Sequence, residues 1–151
     1  MKKSILLLLL SAFVFAGFSQ KPKDSKGFLP KEMKKLYFGM SWEEFQKVKK
    51  LGMVEVSTIM EFRIEYSEEP EKGNIKKITW YFDAEGDFPM YEVIIDYHEA
   101  DARDQVADKL LGPPNDGEDW YFERPESFNI KAWKFNNKLV IVAVLEGTEW
   151  E

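Results

Sequence analysis

Residues 74–97 read NIKKITWYFDAEGDFPMYEVIIDY, and this stretch predicts the centre of the fold. Apolar side chains alternate along two arms, at Ile78, Trp80 and Phe82 in the first and at Tyr91, Val93, Ile95 and Tyr97 in the second. The acidic, glycine-containing segment between the arms, residues 83–87, has the composition of a turn. The stretch therefore predicts a long antiparallel β-hairpin. We expect its inward side chains to form core: Ile78, Trp80, Phe82, Val93 and Ile95.

The composition is that of one folded, acidic domain. The chain has 151 residues, of which 44% are hydrophobic, and its formal net charge is −6. A chain of this length can bury a substantial core. The negative charge opposes binding to nucleic acid, because phosphate backbones repel an acidic protein. The absence of cysteine excludes disulfides, thiolate metal sites and a lipid-modified N-terminal cysteine.

Residues 1–19 have the pattern of a secretory signal peptide. Lys2 and Lys3 precede an apolar run at residues 5–18, and small residues follow before Gln20. The alternative is an uncleaved anchor, but the run is shorter than the roughly 20 residues that a spanning helix needs. We therefore expect an exported protein, periplasmic or secreted, with no transmembrane span in the mature chain. Residues 20–35 are predicted to form a flexible basic leader, and residues 36–151 a single domain.

Along that domain the patterns predict a helix, three strands, a second helix and three more strands. Ser41 and Glu44 form a capping box at the start of the first helix, and Gly52 ends it. Residues 54–66 alternate as one strand, and residues 101–111 form the second helix, which Gly112 ends. Three late strands are centred on residues 120–122, 128–135 and 139–145, with a turn at Asn136 and Asn137.

This order predicts the α+β class. We expect a single twisted antiparallel sheet of about six strands with two helices on one face. The repeated order of elements also indicates a possible tandem α-β-β-β duplication, with halves at about residues 36–97 and 98–151.

No residue pattern indicates catalysis, a cofactor or a metal site. His98, the single histidine, is interpreted as a surface residue, although a general base or pH switch is the alternative. The acidic segments at residues 83–87 and 115–119 are interpreted as loop tips, with calcium binding as the alternative. Neither has the spacing of an EF-hand. We therefore expect a protein that is not an enzyme.

The late strands differ from the early ones because both of their faces are apolar. If the helices cover one face only, apolar and aromatic side chains project from the other. The predicted binding residues are Tyr81, Ile94, Tyr121, Trp133, Phe135, Val140 and Val142. An exposed aromatic sheet face is typical of a surface that binds a protein or peptide. The alternative is that the leader, the C-terminal region around Trp150 or a second subunit covers this face.

A different function class remains open beside protein binding. A small ligand would bind in a pocket between the sheet and the helices, and we expect Trp42, Trp80 and Tyr97 to line it. An enclosed cavity favours this reading, whereas an uncovered aromatic face favours a macromolecular partner.

Two motifs carry a resemblance to a known family. They are Phe-Gly-Met-Ser-Trp-Glu-Glu-Phe at residues 38–45, leading to Leu51 and Gly52, and Lys-Leu-Leu-Gly-Pro-Pro-Asn at residues 109–115. They resemble bacterial envelope modules of the β-lactamase-inhibitory-protein-like and small-protein-A (outer-membrane lipoprotein) type. The resemblance implies a helix packed on an antiparallel sheet and non-enzymatic protein binding or scaffolding in the envelope. The chain departs from this pattern in lacking both the lipobox cysteine and the disulfide cysteines.

Overall fold

The computed structural model describes residues 27–51, 58–60, 62–124 and 127–150. The predicted signal peptide and most of the leader lie outside these ranges. A short 3-10 helix at Lys31–Met33 comes first. The elements that follow are α1 (Trp42–Lys49), β1 (Thr58–Met60), β2 (Arg63–Glu68), β3 (Ile75–Asp83), β4 (Met90–Tyr97), α2 (Ala100–Leu111), β5 (Trp120–Phe122), β6 (Asn129–Phe135) and β7 (Lys138–Val144).

The strands form one open antiparallel sheet in the order β1-β2-β3-β4-β7-β6-β5. The α+β prediction is confirmed, and the predicted hairpin is the pair β3 and β4 in the middle of the sheet. Its five predicted core residues are all buried. The first half contributes four strands after its helix and the second half contributes three, and the last strands of the halves, β4 and β7, are neighbours. The strands of the first predicted half therefore lie on one side of the β4–β7 pairing, and the strands of the second half lie on the other side.

The prediction of one continuous strand at residues 54–66 is wrong. Met60 pairs with Arg63, so the chain reverses between β1 and β2, and this accounts for the seventh strand. Phe62 lies in the turn and is 50% exposed. The alternating pattern gave no sign of the reversal because the turn contains none of the Gly, Pro or Asn residues that usually mark one.

Helix α1 begins with the predicted capping box. The Glu44 backbone N–H donates to Ser41 Oγ at 3.2 Å, and the Ser41 N–H donates to Glu44 Oε2 at 3.4 Å. The helix ends earlier than expected, at Lys49, because Lys50 adopts a left-handed conformation with φ of 55°. Gly52, the predicted end, lies outside the described residues.

Both helices pack on one face of the sheet, here called the helix face. From α1, the Phe45 ring contacts Tyr66, Trp80 and Phe82 on β2 and β3, with ring centroids 5.1–5.6 Å apart. From α2, Arg103 donates to the backbone oxygen of Asn136 in the turn between β6 and β7. The Trp120 side chain on β5 donates from Nε1 to Gly112 O at 2.9 Å. These contacts confirm the two helices on one face.

Residues 28–36, here called the N-terminal segment, also pack on the helix face. Leu29, Met33 and Leu36 are buried in the core, and the Phe28 ring lies 5.0 Å from that of Phe122. The packed region therefore begins before residue 36, which the sequence predicts as the start of the domain. The basic side chains that suggested a flexible leader are interleaved with apolar ones that reach the core, because a turn of 3-10 helix directs Met33 inward.

The outer edge of β5 is bonded to a side chain. Asn115 donates from Nδ2 to Tyr121 O at 3.0 Å, and its Oδ1 accepts from the Tyr121 backbone N–H at 2.8 Å. The Asn115 amide thus engages both main-chain groups of Tyr121.

Candidate functional site

The face of the sheet opposite the helices, here called the outer face, contains all seven predicted binding residues. The strand register places Tyr81, Glu92, Val142, Lys131 and Tyr121 in one row across the sheet. Thr79, Ile94, Val140 and Trp133 form the next row, and Phe135 follows beside Lys138. The prediction therefore groups residues that are neighbours on one surface.

Residues 145–150, here called the C-terminal segment, fold back over this face. The Trp150 indole donates from Nε1 to Glu92 Oε2 on β4 at 3.1 Å, and its ring lies 5.3 Å from that of Trp133 on β6. Trp150 therefore spans β7, which runs between those two strands. Thr148 is buried and Trp150 is half-buried, so this segment packs against the sheet.

This cover divides the predicted surface. Val140, Val142 and Tyr81 are buried, at 4%, 0% and 9% exposure, so they are shielded from direct contact with a partner in this conformation. Ile94, Tyr121 and Trp133 are partly exposed. Phe135 is 59% exposed, the most accessible of the large hydrophobic side chains in the described ranges. Trp150 crosses β7, which carries Val140 and Val142, and the Arg63 guanidinium lies over the Tyr81 ring. Cover by the C-terminal region is one of the alternatives that the sequence left open.

A polar cluster lies under the C-terminal segment. A bulge in β4 lets Tyr91 and Glu92 share the outer face, which breaks the alternation that the sequence indicated between Tyr91 and Val93. Tyr91 donates from its hydroxyl to Glu149 Oε1 at 2.8 Å, and Arg63 Nη1 approaches the same oxygen at 3.3 Å. Burial raises the pKa of Glu92 to about 7, the charge of Glu149 acts in the same direction, and the Trp150 hydrogen bond opposes it.

A cavity of about 600 Å³ lies on the helix face, between the N-terminal segment, α1, α2 and the strands β2 to β4. We call it the inner cavity. Its apolar and aromatic lining comprises Met33, Leu36, Val48, Ile75, Ile78, Trp80, Tyr97 and Val106. The volume is within the range of roughly 300–1,000 Å³ that is usual for small-molecule sites. Of the three side chains expected to line such a pocket, Trp80 and Tyr97 do so.

Trp42, the third, lines a different cavity. That cavity, of about 670 Å³, lies at the start of α1 beside Gly86 and Phe88. The centroid of the Trp42 ring lies 5.0 Å from that of Phe82 and 5.7 Å from that of Phe45, so Trp42 is part of the aromatic cluster between α1 and the sheet.

Two buried polar groups in the wall of the inner cavity have no hydrogen-bond partner among the described residues: Trp80 Nε1 and the Tyr97 hydroxyl. Trp80 is 0% exposed and Tyr97 is 1% exposed. An unsatisfied buried donor costs about 1–3 kcal/mol, so native proteins rarely leave two of them in one wall. Both side chains belong to the cavity lining, but the two polar atoms are themselves buried in this conformation, so neighbouring side chains must move before a ligand can bond to them.

Sequence reasoning missed most of the residues that build this cavity. The sequence pattern places Met33, Lys34 and Lys35 in a flexible leader and Val106 in the second helix, and it assigns none of them to a pocket. The available sequence signal was Met33, an apolar residue among basic ones, because a segment that packs on a core buries such a residue.

The other candidate features of the sequence are the metal-ligand residues, the acidic turn, His98 and the helices. In the described ranges, no group of three or more His, Cys, Asp or Glu side chains is arranged to hold a metal ion. Asp83 Oδ1 accepts from the Glu85 backbone N–H at 2.7 Å, which is a turn contact in the acidic segment between β3 and β4. His98 is exposed. No helix of the described part has both the length and the apolar character that crossing a membrane requires.

Comparison of the chain with protein-family models, curated proteins and solved structures finds no match.

Proposed function

We propose that the chain is an exported, non-enzymatic binding protein and that a small molecule occupies its inner cavity. The observation that carries this proposal is the pair of unpartnered buried donors, Trp80 Nε1 and the Tyr97 hydroxyl, in the wall of one cavity. A ligand with hydrogen-bond acceptors satisfies both groups, and the apolar lining takes the rest of the molecule. Export follows from the signal-like pattern of residues 1–19.

The cavity is tested by filling it. We expect the uncharged dye N-phenylnaphthylamine to bind wild-type protein at one saturable site, with enhanced fluorescence. Val106→Trp places an indole in the cavity from α2 and is expected to weaken dye binding by about tenfold or more, since the apolar contact area is lost. Gln105→Trp is the matched control, because Gln105 is the exposed neighbour on the same helix and does not line the cavity.

The control variant is expected to bind the dye like wild type, and both variants to melt within a few degrees of it. Equal binding by wild type and Val106→Trp would show that the dye sits elsewhere and would contradict the proposed site.

A second candidate function, binding of a protein or peptide, rests on Phe135. This side chain is 59% exposed and lies two residues from Trp133 on the outer face, so it extends the partly exposed strip that includes Ile94. Exposed aromatic groups of this kind are frequent anchors in protein interfaces. The resemblance of residues 38–45 and 109–115 to envelope modules implies the same class of function.

This candidate is tested by cross-linking. A photoreactive phenylalanine at position 135 is expected to cross-link an envelope protein, whereas the same group at exposed position 105 on the opposite face is expected to cross-link none. Phe135→Ala is expected to reduce capture of that protein several-fold with no change in melting temperature, because the side chain is mostly in solvent. Identical cross-linking from both positions would show that Phe135 is not part of a specific protein-binding surface.

A further inference from the structure

The inner cavity is basic although the protein is acidic. Four lysines line it, Lys34, Lys35, Lys49 and Lys72, against two acids, Glu32 and Glu68, so the lining carries a charge of +2 in a chain of net charge −6. A cavity whose charge opposes that of the whole protein concentrates anions and excludes cations. The positive charge of the inner-cavity lining therefore favours anionic ligands over cationic ones.

One of the lysines is already held in place. Lys49 Nζ lies 2.6 Å from Glu68 Oε1 and 4.7 Å from the centroid of the Trp80 ring, so its charge sits against the aromatic wall. Lys34, Lys35 and Lys72 form no ion pair with other described residues. Their charges remain available to a ligand at the mouth of the cavity.

The buried polar groups of the wall both act as donors. The Trp80 indole N–H can only donate. Burial raises the pKa of Tyr97, and the negative charge of Glu32 adds to the effect, so the phenol keeps its proton at neutral pH. A cavity that is lined by two free donors and four lysines, of which Lys49 lies against the Trp80 ring, favours a ligand that presents oxygen acceptors. An amine or a quaternary ammonium ion satisfies neither the donors nor the lysines.

The rest of the wall is aliphatic. Leu36, Val48, Ile78 and Val106 come from four different segments and surround the cavity with branched side chains. We propose that the ligand of the inner cavity is a single-chain anionic amphiphile, whose aliphatic chain packs on this wall and whose carboxylate or phosphate oxygens face Trp80, Tyr97 and the lysines. This inference rests on the proposed function and narrows it to a chemical class.

The test compares ligands that share one twelve-carbon chain. Dodecanoate, dodecanol, dodecylammonium and lauroyl-lysophosphatidylglycerol are titrated below their micelle concentrations against bound N-phenylnaphthylamine. Dodecanoate is expected to displace the dye at about tenfold lower concentration than dodecanol, and dodecylammonium is expected to be the weakest. Stronger binding of the lysophospholipid than of dodecanoate assigns the ligand to a lipid headgroup, and the reverse assigns it to a free fatty acid.

The lysines at the mouth are tested by a double substitution. Lys34→Gln with Lys35→Gln is expected to reduce the preference for dodecanoate over dodecanol by about fivefold and to leave dodecanol binding unchanged. Lys131→Gln with Lys138→Gln removes the same charge from the outer face and is the matched control, because neither residue lines the cavity. It is expected to keep the full preference.

The outcomes separate the two proposals. Dye binding that Val106→Trp weakens, together with equal displacement by the anion, the alcohol and the cation, would overturn the anionic class and leave the cavity as a ligand site. Failure of the dye and of all four amphiphiles to bind would overturn the proposed function itself. Equal loss of dodecanol and dodecanoate binding in the Lys34 and Lys35 variant would overturn the role of charge.

Discussion

Phe45→Ala is expected to lower the free energy of unfolding by about 3–5 kcal/mol, which is the usual loss for a fully buried aromatic ring. Phe45 is 0% exposed, and it is the one buried residue of the eight in α1. Its ring contacts Trp42, Tyr66, Trp80 and Phe82 with centroid distances of 5.1–5.7 Å. Since domains of this kind have only about 5–15 kcal/mol of stability, the variant loses a large part of it.

The measurement is urea unfolding followed by tryptophan fluorescence at 25 °C. Phe135→Ala is the matched control, because the same atoms are removed from a ring that is 59% exposed, and it is expected to change stability by less than about 0.5 kcal/mol. A loss below about 1 kcal/mol for Phe45→Ala would mean that α1 is not anchored to the sheet by this ring.

Glu92→Gln is expected to remove a pH dependence of about 3 kcal/mol from the free energy of unfolding. Burial beneath Trp150 raises the pKa of Glu92 to about 7, from 4.5 for the free side chain. The folded state therefore binds the proton more strongly than the unfolded state. The resulting stabilisation is fully present below pH 4.5 and is lost as pH rises through about 7. Glutamine stays neutral and retains an oxygen that accepts from Trp150.

Wild type and Glu92→Gln are compared by urea unfolding at intervals between pH 4.5 and pH 8.5, where the difference is expected to grow in favour of glutamine. Glu71→Gln, in the exposed turn between β2 and β3, is the control and is expected to follow wild type throughout. A difference that is constant with pH would place Glu92 in contact with water and would contradict the cover by the C-terminal segment.

The elements that the sequence predicted well are those with local signals. The hairpin of β3 and β4, helix α2 with Gly112 at its end, and the turn at Asn136 each follow from alternation, helical spacing or turn-forming residues that lie close together in the chain. The reversal between β1 and β2 was missed because its residues have no turn preference. The end of α1 was misplaced because Lys50 takes up a left-handed conformation that glycine usually supplies.

The candidate site was predicted in part, for a related reason. The seven outer-face residues do lie on one surface, since the faces of a strand alternate with period two and the helices occupy the other side. Their accessibility depends on Trp150, whose contacts with Glu92 and Trp133 join positions far apart in sequence. The inner cavity likewise combines residues from the N-terminal segment, both helices and the central strands, and no local pattern encodes such a combination.

The hydrogen bonds of Asn115 limit how this sheet can associate with other chains. An open sheet offers unpaired main-chain groups along its edge strands, and a strand from another molecule can extend the sheet by bonding to them. At β5 the amide of Asn115 already satisfies the Tyr121 N–H and C=O. A strand that approaches this side must first displace the side chain, so the edge is protected against edge-to-edge aggregation by a single residue of the loop that precedes it.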